Sequence, residues 1–102
     1  MQDLEFISGR FFDYEIPKEK RYLLKYFKTD LQQAFLRYYF VFGNATNFVD
    51  HTGIFCTDRI LWKLQARCKR LIQIYDKAKM ELTEESMMIV ERIEAGKFKG
   101  KW

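Results

Sequence analysis

The sequence predicts an all-α fold, a compact bundle of four to five helices within a single domain. Apolar residues recur at helical spacing through most of the chain after residue 17, and glycines or cap-forming residues separate these stretches. The 102 residues, 48% of them hydrophobic and 31% charged, suffice for one buried core and show no internal repeat or linker. Aromatic residues make up 18% of the chain, and their large rings supply apolar area to a core or to a subunit interface.

Residues 1–16 are predicted to form an arm beside the bundle. They carry a net charge of −3 and are rich in phenylalanine, isoleucine and tyrosine. Ser8 and Gly9 suit a turn between two short strands at residues 4–7 and 10–14. The segment is therefore either a short β-hairpin or an extended arm that lays aromatic side chains on the helices.

Residues 17–42 are predicted to form the scaffold helices. Pro17 suits the first position of a helix, where its missing N–H costs nothing, and Asp30 is expected to cap the next helix. Residues 30–42 are apolar on nearly every side, which is typical of a helix in the centre of a core or at an interface between identical subunits. Gly43 follows where helices commonly end in a left-handed residue.

The next stretch, residues 44–79, predicts a short helix, a tight turn and a long helix. Asn44 is a suitable cap for a helix at residues 45–52, and Gly53 ends that helix after two turns. Ile54 is the apolar residue expected beside such a turn, where it packs between the two helices.

The long helix, predicted at about residues 58–79 after a start at Cys56 or Thr57, separates apolar from cationic side chains. At 100° per residue, its apolar side chains share a face about 120° wide, namely Leu61, Leu64, Cys68, Leu71, Ile72, Tyr75 and Ala78. Five cations fall within about 80° of one another on a different face, namely Arg59, Lys63, Arg67, Arg70 and Lys77. A localised basic face of this kind predicts a polyanion or an acidic partner.

A final helix is predicted at residues 83–96, where Thr83 caps the first turn and Gly96 ends the last. The tail at residues 97–102 alternates lysines with large aromatic rings. We interpret it as a strand or a disordered end, and the alternative is that its rings stack on unpaired bases.

The stretch resembles the helix-turn-helix superfamily at Gly43-Asn44-Ala45-Thr46 and again at Thr52-Gly53-Ile54. The Gly-Asn-x-Thr opening is similar to that of Fis-type DNA-binding units and of phage small terminase subunits. The likeness covers about 22 of the 102 residues. It implies a helix-turn-helix at residues 44–79 that binds double-stranded DNA.

The sequence departs from the superfamily pattern at two places. Val49 stands where members usually carry a small residue, often alanine. The first apolar residue of the recognition helix is expected at about position 59, whereas Arg59 occupies it and Ile60 follows. A turn lengthened by one residue, containing Phe55 and Cys56, restores the register.

The resemblance also implies which side chains meet DNA. Those at the start of the long helix are expected to reach base edges or nearby phosphates, and those further along it to meet phosphates. Polar residues at the N-terminus of the short helix are expected to favour a phosphate. The candidate DNA-binding residues are Asn44, Thr46, Asn47, Thr57, Arg59, Lys63, Arg67 and Arg70.

No catalytic residue, metal site or cofactor is predicted. The chain has one histidine, no phosphate-binding glycine loop and no clustered carboxylates from which to assemble an active site. The spacing of the three soft-metal ligands, His51, Cys56 and Cys68, matches no structural zinc pattern. Cys68 also lies on the predicted core face of its helix. No secretory signal and no apolar run of the ~20 residues needed to cross a membrane is present, so we expect a cytoplasmic protein with reduced thiols.

These observations predict a non-enzymatic DNA-binding protein. Its expected role is that of a transcription regulator or a small-terminase-like DNA-recognition subunit of a phage or mobile element, acting in the host cytoplasm. Such proteins often bind as oligomers, and the apolar helix at residues 30–42 suits that interface. The alternative is an adaptor whose basic face and aromatic side chains dock on another protein, for instance host transcription machinery.

Overall fold

The structure, a computed structural model, describes residues 15–99, and all regular structure in that range is helical. A 3-10 helix (Lys18–Lys25) is followed by four α-helices, α1 (Asp30–Phe42), α2 (Phe48–Thr52), α3 (Asp58–Glu81) and α4 (Glu84–Glu94). The all-α prediction is confirmed for this part of the chain. The predicted arm or hairpin at residues 1–14 and the last three residues of the predicted tail lie outside the described residues.

The first helices begin one residue away from the predicted positions. Pro17 caps the 3-10 helix instead of occupying its first turn. Thr29, not Asp30, caps α1, because its hydroxyl accepts a hydrogen bond from the Gln32 N–H at 3.2 Å while the Gln32 side chain accepts one from the Thr29 N–H at 3.2 Å. This reciprocal capping box satisfies two backbone donors, which a single aspartate does not do. Gly43 ends α1 in the left-handed conformation, as predicted, with φ at 79°.

Helices α3 and α4 both begin with a side-chain cap. The Thr57 hydroxyl accepts from the Ile60 N–H at the start of α3. Thr83 and Ser86 form a capping box at the start of α4. Helix α3 runs two residues beyond its predicted end, and Leu82 closes it with φ at 55°, a left-handed conformation that a leucine adopts only with strain.

Aromatic rings dominate the buried core. The rings of Tyr22 and Tyr75 stack with centroids 4.1 Å apart, which joins the 3-10 helix to α3. The centroid of the Phe35 ring in α1 lies 6.4 Å from that of Phe27 and 6.3 Å from that of Phe48. All three side chains are fully buried. Part of the aromatic excess therefore fills the interior of the domain, the first of the two places considered for it, whereas Phe42, Phe55 and Trp62 are exposed.

Helix α3 is the longest helix of residues 15–99, and it packs against α4 and the 3-10 helix. Its buried side chains, Leu61, Leu64, Cys68, Leu71, Tyr75 and Ala78, are those of the predicted apolar stripe, and Ile72 is half-buried at its edge. Helix α4 packs against α3 after a two-residue connection, with Val90 and Ile93 buried. Within residues 15–99, no helix has both the length and the apolar character needed to cross a membrane.

Candidate nucleic-acid interface

The exposed side of α3 carries a row of cations. Arg59, Lys63, Arg70 and Lys77 are all exposed, and they lie on the side of the helix away from its buried stripe. None of the four forms an ion pair with an acidic group in residues 15–99. We call these four residues the cationic row. The sequence predicted all of its members to share one face.

Arg67 is the fifth cation of the predicted stripe, and its surroundings differ. Its guanidinium carbon lies 5.0 Å from the centroid of the Phe27 ring, and one of its N–H groups donates to the Tyr26 carbonyl oxygen at 3.2 Å. The side chain is half-buried and connects α3 to the end of the 3-10 helix. Arg67 lies at the border between the apolar and cationic faces of α3. A helical wheel of α3 alone does not show which part of the chain packs against that border.

The short helix before the turn begins later than predicted. Helix α2 starts at Phe48, three residues after the predicted start at Ala45. The Asn44 side-chain oxygen accepts from the Thr46 N–H at 3.0 Å, and this local bond holds residues 44–47 in a turn. Asn44, Thr46 and Asn47 are exposed, but they precede a helix of only five residues, and Asn47 makes no side-chain capping bond.

The turn after α2 is held by a buried threonine. The Thr52 hydroxyl donates to the Phe48 carbonyl oxygen at 2.6 Å and accepts from the Ile54 N–H at 3.1 Å. Gly53 between them has φ at 71°, the left-handed conformation that glycine adopts at little cost. Ile54 is buried, as predicted for the apolar residue beside the turn. These contacts fix the direction in which the chain leaves α2.

The connection from α2 to α3 is long and partly apolar. Residues 53–57 are not helical, so five residues separate the helices. Cys56 is buried whereas the Phe55 side chain is 82% exposed. Thr57, a candidate contact residue, already uses its hydroxyl to cap α3. The connection is longer than the turn of about three to four residues that is usual between the helices of a helix-turn-helix.

Trp62 is an exposed residue that the sequence predictions did not single out. Its side chain is 68% exposed, and it lies on the first turns of α3 beside the cationic row. The signal was available, because a large apolar ring falls on the polar side of the helical wheel. A cavity of about 300 Å³ lies next to the indole, lined by Ala45, Thr46, Asp58, Leu61, Trp62 and Gln65.

The two cysteines are free thiols inside the fold. Burial raises the pKa of Cys68 from 9.0 to about 12, and burial together with the nearby Asp58 carboxylate raises the pKa of Cys56. Both are therefore protonated and poorly nucleophilic near neutral pH. Cys68 is a small core residue, as predicted from its place on the apolar face.

The single histidine, His51, contacts aromatic side chains of α1. His51 Nδ1 lies 2.7 Å from the Tyr38 hydroxyl oxygen, and the His51 ring is 5.7 Å from the Phe42 ring between centroids. This bond links α2 to α1. In the part of the chain that the structure describes, no three histidine, cysteine, aspartate or glutamate side chains are grouped so that they can hold a metal ion.

Three comparisons bear on the identity of the chain. No protein-family model, no curated protein and no solved structure matches it.

Proposed function

We propose that the protein binds double-stranded DNA through the cationic row of α3. The observation that carries this proposal is the alignment of Arg59, Lys63, Arg70 and Lys77 along one exposed side of a helix whose opposite side is core. With a rise of about 1.5 Å per residue, the row extends over about 27 Å. Cations that have no acidic partner among residues 15–99 and lie on one rigid element favour a polyanion, since binding releases the counterions condensed on its phosphates.

The helix-turn-helix interpretation is part of this proposal. The order of α2, the Gly53 turn and α3 supports it, while the short α2 and the five-residue connection depart from the usual motif. In this arrangement the first turns of α3 enter the major groove, where Arg59 and Lys63 face base edges, and Arg70 and Lys77 face phosphates. The proposal depends on the cationic row more than on the motif.

The proposed biological role is that of a transcription regulator or of a DNA-recognition subunit in phage packaging. A second copy of the chain suits either role, because duplex sites are commonly read by symmetric oligomers. Val41 and Phe42, exposed at the end of the apolar helix α1, support a self-association surface there.

The test compares two triple variants that remove the same charge. Arg59→Ala/Lys63→Ala/Arg70→Ala removes three members of the row, whereas Lys18→Ala/Arg21→Ala/Lys28→Ala removes three exposed cations from the 3-10 helix and the loop after it. Fluorescence anisotropy with a labelled duplex is measured against salt concentration. Since each phosphate contact contributes a slope of about −0.9 in log K against log salt, the first variant is expected to lose about three contacts and the second few or none.

Two results contradict the proposal. One is the absence of duplex binding by the wild-type protein at low salt. The other is an equal loss of affinity in both variants, since that would show a dependence on net charge and not on the row. Both variants must retain the melting temperature of the wild type, which is expected because the replaced side chains lie at the surface.

A protein partner is the second candidate, and exposed apolar side chains favour it. Met80 is 82% exposed and Leu82 75% exposed at the connection between α3 and α4. Clustered apolar side chains at the surface often mark interaction sites. If the protein is an adaptor, affinity capture of a partner resists nuclease treatment and is lost in Met80→Ser/Leu82→Ser. Capture that nuclease abolishes supports DNA binding instead.

A further inference from the structure

The cavity beside Trp62 has the dimensions and the lining of a small binding site. Its volume of about 300 Å³ is at the lower end of the range for ligand pockets. Ala45 and Leu61, both buried, form an apolar floor. Four of the six lining residues belong to α3 and are spaced so that their side chains lie on one side of that helix, namely Asp58, Leu61, Trp62 and Gln65. One rigid element therefore fixes most of the cavity.

The indole of Trp62 supplies an aromatic wall that is open to solvent. An exposed tryptophan leaves a large apolar ring in water, and a second planar ring covers it well. Nucleobases stack on such rings whatever their identity, because every base has a π-face. Arg59 lies three residues before Trp62, on the neighbouring surface of α3, so a strand that supplies the stacked base meets positive charge beside the cavity.

The polar lining is suited to guanine. Asp58 offers two carboxylate oxygens, which accept two parallel N–H bonds as they do from arginine. Guanine presents such a pair in its N1–H and 2-amino groups, and it also carries an acceptor oxygen at O6. The Gln65 amide oxygen accepts from the Ala45 N–H at 3.3 Å, which leaves the amide nitrogen available to donate to an acceptor such as O6.

The guanine that enters this cavity must be unpaired. In a duplex the N1–H and 2-amino groups are bonded to cytosine, and the major groove displays only the N7 and O6 acceptors of guanine. We infer that the cavity binds an unpaired guanine next to the duplex that the cationic row contacts. This inference rests on the proposed DNA-binding function and adds a ligand class to the same surface.

The experiment uses a short labelled duplex with a single-stranded thymine tail, in three forms. The tail contains thymine only, one guanine, or one inosine, which lacks the 2-amino group. The wild-type protein is expected to bind the guanine form at least about fivefold more tightly than the thymine form, with inosine between them. Asp58→Asn is expected to remove this preference, because an amide presents only one acceptor oxygen.

Two controls separate the cavity from general charge and stability effects. Glu81→Gln makes the same change of charge at the far end of α3, so it alters overall affinity but leaves the guanine preference intact. Trp62→Ala is expected to reduce by about fivefold or more the affinity that a tail adds to the same duplex, whichever base the tail contains. In Trp102→Phe, Trp62 is the one tryptophan left in the chain, and its fluorescence is expected to be quenched by the guanine tail.

The outcomes distinguish this inference from the proposed function. Failure of every oligonucleotide to bind overturns both. Duplex binding that depends on the cationic row but shows no guanine preference overturns the guanine site alone. The same tails made of RNA identify the strand type, and a guanine preference that Asp58→Asn removes on either strand supports the site.

Discussion

Arg67 offers the sharpest test of the structure, because the helical wheel groups it with the cationic row whereas the structure packs it against the 3-10 helix. Replacing it with alanine removes the stacking of its guanidinium on Phe27 at 5.0 Å, worth about 0.5–1 kcal/mol. It also removes the 3.2 Å hydrogen bond to the Tyr26 carbonyl oxygen, worth about 1.5 kcal/mol for a charged donor. The sum is about 2 kcal/mol of unfolding free energy.

The assay is thermal unfolding followed by circular dichroism. For a domain of this size a loss of ~1 kcal/mol lowers the melting temperature by about 4–8 °C, so Arg67→Ala is expected to lower it by about 8–16 °C. Arg70→Ala is the matched control, since it removes the same charge from an exposed position in the next turn. Arg67→Lys keeps the charge but lacks the planar guanidinium group. Its melting temperature is expected to lie between those of Arg67→Ala and Arg70→Ala.

The reasoning is refuted if Arg67→Ala and Arg70→Ala melt within about 2 °C of each other. The pair also separates structural from DNA-binding roles. At a temperature where both variants are folded, Arg70→Ala is expected to lose more duplex affinity than Arg67→Ala. If Arg67→Ala instead loses more duplex affinity than Arg70→Ala, Arg67 contacts a phosphate, as the sequence predicted.

Three further perturbations test other parts of the fold. Leu82→Gly is expected to raise stability by ~0.5–1 kcal/mol in thermal unfolding, because relief of the left-handed conformation exceeds the entropy that glycine adds; a lower melting temperature contradicts this. Thr52→Val is expected to cost about 1–3 kcal/mol in urea unfolding, since it leaves the buried Ile54 N–H without its acceptor, and Thr52→Ser should recover most of the loss. Because burial raises the pKa of Cys68 from 9.0 to about 12, the folded state keeps a proton that the unfolded chain releases, so stability is full below pH 9.0 and falls by about 1.4 kcal/mol per pH unit above it. Cys68→Ala should reduce the size of this loss, while Cys56, whose pKa burial also raises, and at higher pH the buried Tyr22 continue to contribute; an unchanged profile contradicts the assignment.

The features that the sequence predicted correctly are governed by neighbouring residues. Thr57 and Thr83 cap helices through bonds to residues three positions away, and Gly43 and Gly53 end helices through their own backbone conformations. The buried stripe of α3 follows from helical spacing alone. Such features require no knowledge of the rest of the fold.

The features that the sequence did not predict depend on distant partners or on local competition. The orientation of the Arg67 side chain depends on its hydrogen bond to Tyr26, which lies 41 positions earlier in the chain. Nothing in the sequence of α3 indicates that contact. Helix α2 starts late because the Asn44 side chain bonds to the Thr46 backbone, so a residue assigned as a cap forms a turn instead. The cavity at Trp62 combines α3 with residues 45 and 46, and only the packed structure brings them together.

The bonds of the 3-10 helix and the residue after it have a consequence for the order in which the molecule forms. Lys20 pairs with Asp76, and the Tyr26 hydroxyl donates to the Ile93 carbonyl oxygen at 2.9 Å and accepts from the Phe98 N–H at 3.2 Å. These partners lie 56 to 72 positions further along the chain. During synthesis, α3 and α4 can pair as soon as both have emerged from the ribosome, since their contacts are close in sequence. The 3-10 helix therefore meets its α3 partners first, and a nascent chain stalled before residue 93 still lacks the two bonds of the Tyr26 hydroxyl to the later part of the chain.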